Sequence, residues 1–149
     1  MTEGKLALVL HAHLPYVRSV EAGSLEEDWF FQALIECYLP LLETLETSNA
    51  SKNETPKITI SLSPTLLSLI DDKELKKRFT LWIKFRIDIL RNLLKGLDNS
   101  ANYLLVNLEN QLDLWEKNQG NLINRFRALQ ECKVVDLLTC AATHGYLPL

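Results

Sequence analysis

Three short apolar runs, set between long amphipathic stretches, constrain the fold of this chain more than any other feature. Residues 5–10 (Lys5-Leu6-Ala7-Leu8-Val9-Leu10), Lys57-Ile58-Thr59-Ile60-Ser61-Leu62 and Val134-Val135-Asp136-Leu137-Leu138 each have the length and polar borders of a strand. Between the first two, Glu26 to about Glu46 repeats Phe30, Ala33, Leu34, Cys37, Leu41, Leu42 and Leu45 at steps of three and four, the spacing of one helix face. Pro40 lies inside that pattern and should kink the helix or end its first part. Thr47 to Pro56 reads as a polar loop. After the second run, Ser63 can cap a short helix with Pro64 at its first position. Asp72 can cap a longer one from Lys73 to about Lys95, with Leu75, Phe79, Trp82, Ile83, Leu90 and Leu94 on one face and Gly96 at its end. A further helix runs from about Ser100 to Lys117, with Leu104, Leu105, Leu108, Leu112 and Trp115 on one face and Gly120 beyond it; Leu122 to Glu131 is shorter. Strands alternating with helical crossovers specify a parallel sheet, hence an α/β fold. Two or three parallel strands neither close a barrel nor cover both faces of a sheet.

A chain of 149 residues suffices for one domain with a core. The net charge of −3 comes from mixed charges without a basic stripe, which argues against nucleic acid as a partner. The apolar run after Met1 is too short for a signal segment, and no run approaches a membrane span, so a cytoplasmic location is expected. Cys37, Cys132 and Cys140 have no CxxC spacing and read as buried, reduced thiols. There is no P-loop, GxGxxG, GxSxG or HExxH motif.

The three histidines fall in two segments that each follow a strand-like run: His11-Ala12-His13-Leu14-Pro15-Tyr16, and Thr139-Cys140-Ala141-Ala142-Thr143-His144-Gly145. Open α/β folds place their chemistry at the carboxyl ends of strands, so the two segments suggest one shared site. His11 and His13, two apart, point to the same face if the chain there is extended. Such a pair can bind a metal, hydrogen-bond a sugar hydroxyl, move protons, or serve as structural histidines. Tyr16 is an aromatic ring suited to a sugar's apolar face or to the core wall. Large aromatics are more often buried, which favours core positions for Trp29, Trp82 and Trp115. Gly145 marks a sharp turn or a close approach. Asp136, inside a strand, needs a partner or an edge position. Glu26-Glu27-Asp28 suit a helix start, and Asp71 to Arg78 reads as a solvated one.

Leu6-Ala7-Leu8-Val9-Leu10-His11-Ala12-His13-Leu14-Pro15-Tyr16-Val17-Arg18 resembles the first conserved region of family-57 glycoside hydrolases, and Leu138-Thr139-Cys140-Ala141-Ala142-Thr143-His144-Gly145-Tyr146-Leu147-Pro148-Leu149 resembles the second. Glu27-Asp28-Trp29 through Leu42 is similar to the family's first helix, and Ile58 through Leu66 to its second strand. Within the family, the resemblance is to the 1,4-α-glucan branching enzymes, from end to end of the chain. Cys132 and Asp136 depart from the Gly and Glu expected there.

The resemblance implies that residues 1–149 are the N-terminal part of an incomplete, TIM-like (β/α)7 barrel, with about three parallel strands and no second domain. It implies retaining transfer on α-1,4-glucan (amylose, glycogen) that forms α-1,6 branches, with no metal and no cofactor. That reaction needs a carboxylate nucleophile and a carboxylic acid about 5 Å apart. In the family these are a Glu and an Asp on later strands, outside these 149 residues. The chain would then hold no catalytic residue and be inactive alone. The resemblance makes His11, His13 and His144 donor-sugar ligands, with Trp29 an aromatic position near that site; Tyr16 joins them as a sugar-facing ring. Open edges and apolar helix faces would make an isolated barrel part prone to aggregate unless a second chain completes it. Two other classes stay open: a non-catalytic remnant or split-gene subunit that binds glucan or a partner, and a zinc-dependent deacetylase-like hydrolase.

Overall fold

The strands of the sheet, β1 (Val9–Ala12), β2 (Ile58–Leu62) and β3 (Val135–Leu138), lie side by side in chain order and all run parallel. The structure is a computed structural model that describes residues 4–50, 57–93, 99–143 and 145, with the side chains of 99–101 left aside. Between the strands come α1 (Leu25–Ala33), a π-helical turn (Leu34–Tyr38), α2 (Leu39–Ala50), α3 (Pro64–Asp71), α4 (Lys73–Leu93), α5 (Asn99–Lys117) and α6 (Leu122–Glu131).

The register sorts the strand residues into two faces. Leu10, Ile60 and Leu137 form one row, flanked by Ile58 beside Val135 and Ala12 beside Leu62. These side chains pack into the apolar core under the helices. The alternate rows, Val9-Thr59-Asp136 and His11-Ser61-Leu138, lie on the opposite face, where Val9, His11, Asp136 and Leu138 are exposed. Asp136 is therefore accommodated by position: it stands on the uncovered face of an outer strand. The first strand is shorter than the apolar run suggests. Its pairing begins where the Thr59 N–H donates to the Leu8 carbonyl at 3.1 Å, and Leu6, upstream of any partner strand, is 94% exposed.

Pro40 bends the local rules without ending the helix. At the turn before it, the Leu39 N–H donates to the Leu34 carbonyl, one residue further back than in an α-helix. The Ile35 carbonyl that this skips accepts instead from Gln111 Nε2 on α5, at 2.9 Å. The extra residue rotates the buried stripe by about 100°. It continues through Leu34, Tyr38 and Leu42, and Cys37 turns to solvent. That corrects the expectation of buried thiols: Cys132, at the C-cap of α6, is also exposed and Cys140 is half-buried. Burial raises the Tyr38 phenol to about 12, helped by the neighbouring Cys37. Helix α2 runs on through Ala50, so Thr47 to Ala50 is helical where a loop was expected; Leu94 and Gly96 lie outside the described residues.

An aromatic cluster joins α1, α4 and α5. The Phe79 ring lies 5.7 Å from Phe31 and 4.5 Å, edge-on, from Trp115, and Trp82 lies 5.7 Å from Phe31. Trp115 is buried, with Nε1 donating to Thr80 Oγ1 at 3.0 Å, while Trp82 is half-buried. Gly120, at φ +63°, folds back so that its N–H donates to the Trp115 carbonyl, and a Cβ there would lie 2.6 Å from the indole. Among the described residues no helix is long and apolar enough to cross a membrane.

Candidate functional site

The carboxyl end of β2 is where the two histidine segments meet. His11 lies in β1 and His13 just beyond it, and period-two alternation sets both on one side. Their rings stack at a centroid distance of 5.9 Å and an interplanar angle of 13°. Past the strand ends, the Ser63 N–H donates to the Ala12 carbonyl at 3.0 Å and carries the β1–β2 pairing onward. Ser63, fully buried, is the N-cap of α3: its Oγ accepts from the Leu66 N–H at 3.3 Å, with Pro64 at the first helical position. Thr65 then reaches back across the strand ends. Its Oγ1 lies 2.9 Å from the Leu14 carbonyl, 3.1 Å from Ser63 Oγ and 3.5 Å from His13 Nδ1.

The second segment arrives at the same strand end: Cys140 Sγ lies 3.9 Å from the Leu62 carbonyl. His144 lies outside the described residues. Gly145 is described, and the nearest atom to a Cβ built there is Thr143 Oγ1 at 4.0 Å, so no described neighbour crowds it. β1 and β3 are separated by β2, and the site is therefore organised across the central strand.

The loop between His13 and α1 carries Tyr16, 61% exposed, and is fixed at three consecutive residues. Arg18 Nε pairs with Asp72 Oδ2 at 2.8 Å. The Ser19 N–H donates to Glu27 Oε1 at 3.0 Å, while Arg78 donates to the Ser19 and Val20 carbonyls at 3.2 and 3.3 Å. Glu27 is fully buried and pairs with Arg78 at 2.6 Å. A sequence reading that assigns Glu27 to a helix dipole and Arg78 to a solvated helix start misses this pair, because neither charge signals its partner locally. Asp28 is likewise engaged: its Oδ1 accepts from Trp82 Nε1 at 2.5 Å, and the Arg86 guanidinium sits 4.8 Å over the Trp82 ring. Trp29, on the same turn, is 56% exposed, which corrects the core reading and leaves the indole available to a ligand. Asp72 caps α4. Partial burial pushes its carboxyl up, but the Leu75 and Glu74 N–H groups and the Arg18 charge outweigh this and hold it below its ordinary value.

The strand end thus gathers two imidazoles and the hydroxyls of Ser63 and Thr65. Among the described residues no group of three or more His, Cys, Asp and Glu side chains is placed to hold a metal. A parallel sheet with helical crossovers and polar side chains gathered at the carboxyl end of its strands is the α/β arrangement in which strand ends carry the site. The chain belongs to glycosyl hydrolase family 57, whose pattern matches residues 7–149. It is 34% identical to a 1,4-alpha-glucan branching enzyme of Thermococcus kodakarensis, over 99% of this chain and 22% of that protein. The crystal structure of that enzyme, in complex with glucose and additives, superposes with a TM-score of 0.91 at 34% identity, over 98% of this chain and 27% of that one. A family-57 branching enzyme from Pyrococcus horikoshii gives 0.89 at 32% identity, over 98% and 28%. The α-amylase AmyC of Thermotoga maritima gives 0.87 at 28% identity, over 99% and 29%. The chain thus spans about a quarter of these relatives, and its three strands and helices correspond to the N-terminal part of the (β/α)7 barrel.

Proposed function

We propose that these residues form the donor-sugar-binding part of an α-1,4-glucan branching barrel, acting on a cytoplasmic glycogen- or starch-type polymer. The stacked pair His11 and His13 at the mouth of the β1–β2 seam, in a chain similar to branching enzymes along its whole length, carries the reading. In it the two imidazoles and His144 hydrogen-bond sugar hydroxyls, and Tyr16 and Trp29 offer rings to the apolar face of a glucosyl unit. Retaining transfer needs two carboxylates about 5 Å apart. On this reading they come from the remainder of the barrel, whether on a longer chain or on a second one, and the 149 residues alone neither branch nor hydrolyse glucan.

The test mixes this chain with a polypeptide spanning the part of the Thermococcus kodakarensis enzyme that follows the matched segment, with amylose as substrate. The expected result is loss of iodine colour without new reducing ends in the mixture, none with either piece alone, and a decrease with His13→Ala. New reducing ends would instead favour the hydrolytic chemistry of the α-amylase relative. Branching by this chain alone would overturn the division of labour.

A further inference from the structure

Tyr16 stands between two fixed points of the loop that joins β1 to α1. On one side, Thr65 Oγ1 donates to the Leu14 carbonyl at 2.9 Å. On the other, Val17 packs against the core and Arg18 pairs with Asp72. Pro15 and Tyr16 lie between, both exposed, and the ring of Pro15 holds its own φ near about −65°.

The far side of the loop is held by an ion pair. Both backbone groups of Ser19 are engaged: its N–H donates to Glu27 Oε1 at 3.0 Å, and its carbonyl accepts from Arg78 Nη1 at 3.2 Å. Arg78 Nη2 donates to the Val20 carbonyl at 3.3 Å, and Nε to Glu74 at 3.4 Å. One planar guanidinium thus reaches α1, the loop and its own helix together, a geometry that a lysine ammonium does not reproduce. Burying Glu27 completely is costly, and an apolar pair of similar size can hold two helices together as well or better. An apolar pair cannot, however, hydrogen-bond the backbone of Ser19 and Val20.

We propose that Glu27 and Arg78 are positioning residues: they fix the loop so that Tyr16 is held in one conformation before any ligand arrives. The ligand class rests on the glucan reading above, in which this ring meets the apolar face of a glucosyl unit. A ring fixed in advance binds more tightly, because less ordering remains to be done on association.

The experiment is backbone 15N relaxation of the labelled 149-residue chain, which reads motion on the picosecond-to-nanosecond scale. In the wild type the Tyr16 amide should have a rigid order parameter of about 0.85. Arg78→Lys keeps a cation beside Glu27 but loses the fork, and should lower that value below about 0.6. The Glu27→Leu/Arg78→Met chain should lower it equally, while recovering much of the stability that Arg78→Met loses. Glu27→Gln, which retains an acceptor oxygen, should keep the rigid value. A mobile Tyr16 in the wild type overturns the proposal, as does a rigid Tyr16 in the Glu27→Leu/Arg78→Met chain. If that chain fails to fold, Arg78→Lys decides in the same way. Maltoheptaose is then titrated into the wild type and the variants. Tyr16→Ala and Arg78→Lys should each weaken binding, and together no further than Tyr16→Ala alone, since Arg78 acts through that ring. Additive losses overturn the positioning role in binding. No binding by the wild type overturns the glucan reading, and the order parameters still decide whether the ion pair fixes the loop.

Discussion

Arg78 Nη1 lies 2.6 Å from Oε1 of Glu27, a carboxylate fully shielded from solvent, and the two together hold the backbone of Ser19 and Val20. The second carboxylate oxygen, Oε2, finds no hydrogen-bond partner among the described residues. Removing the cation strands a charge inside the protein, which costs about 3–5 kcal/mol. Arg78→Met should lower the urea midpoint by the larger amount. Glu27→Gln should cost less, since Arg78, 15% exposed, can still reach water. A Glu27→Leu/Arg78→Met double variant should recover much of the loss. Equal midpoints for Arg78→Met and wild type would show that the pair contributes nothing.

The π-turn depends on a side chain from another helix. Gln111 is buried and its amide N–H satisfies the Ile35 carbonyl that the turn leaves behind. Gln111→Leu leaves that carbonyl unpaired, at about 1–3 kcal/mol. A thermal melt should show the drop. A second check is proteolysis: trapping of a cleavage near Pro40 should increase in the variant.

At Gly120 two effects add. The φ of +63° is costly for a residue with a side chain, and a Cβ would sit 2.6 Å from the Trp115 ring. Left-handed backbone costs about 1–2 kcal/mol and overpacking about 1–3 kcal/mol. Gly120→Ala should therefore destabilise by about 2–5 kcal/mol in urea titration. It should also alter the near-ultraviolet signal of Trp115.

Asp72 gives the acid limb of stability a definite sign. Its carboxyl is held below the ordinary value in the folded chain, so it binds protons less readily there than when unfolded. The stabilisation is present above the unfolded value of about 3.9 and is lost as pH falls through the lower folded value. Urea stability measured from about pH 5 downward should fall more steeply for wild type than for Asp72→Asn, with parallel slopes above that range. Asparagine retains a capping oxygen but not the charge that pairs with Arg18, so Asp72→Asn should be less stable than wild type at neutral pH, with the gap closing as the pH falls.

What could be read from the sequence was what is local. Ser63 and Asp72 announce their helices because a cap bonds N–H groups two or three residues away. The common side of His11 and His13 follows from strand alternation. The missed features are long-range. The π-turn at Pro40 is tolerated because Gln111 arrives from α5, and without that partner the periodicity keeps Cys37 on the wrong side. The burial of Glu27 requires Arg78, and the end of β1 requires the neighbour β2. Tyr16 and Trp29 are both exposed, whereas the general burial of large aromatics argues the opposite for an indole.

The coincidence of spatial and chain order in the sheet has a consequence for how the protein is made. When β2 leaves the ribosome, β1 is already there to receive it, and β3 in turn meets a finished β2. Among these three strands, none must be inserted between two that have already paired. Synthesis from the N-terminus thus lays the sheet down one edge at a time, and the site at the end of β2 begins to take shape as soon as Thr65 has been translated and can fold back on Leu14.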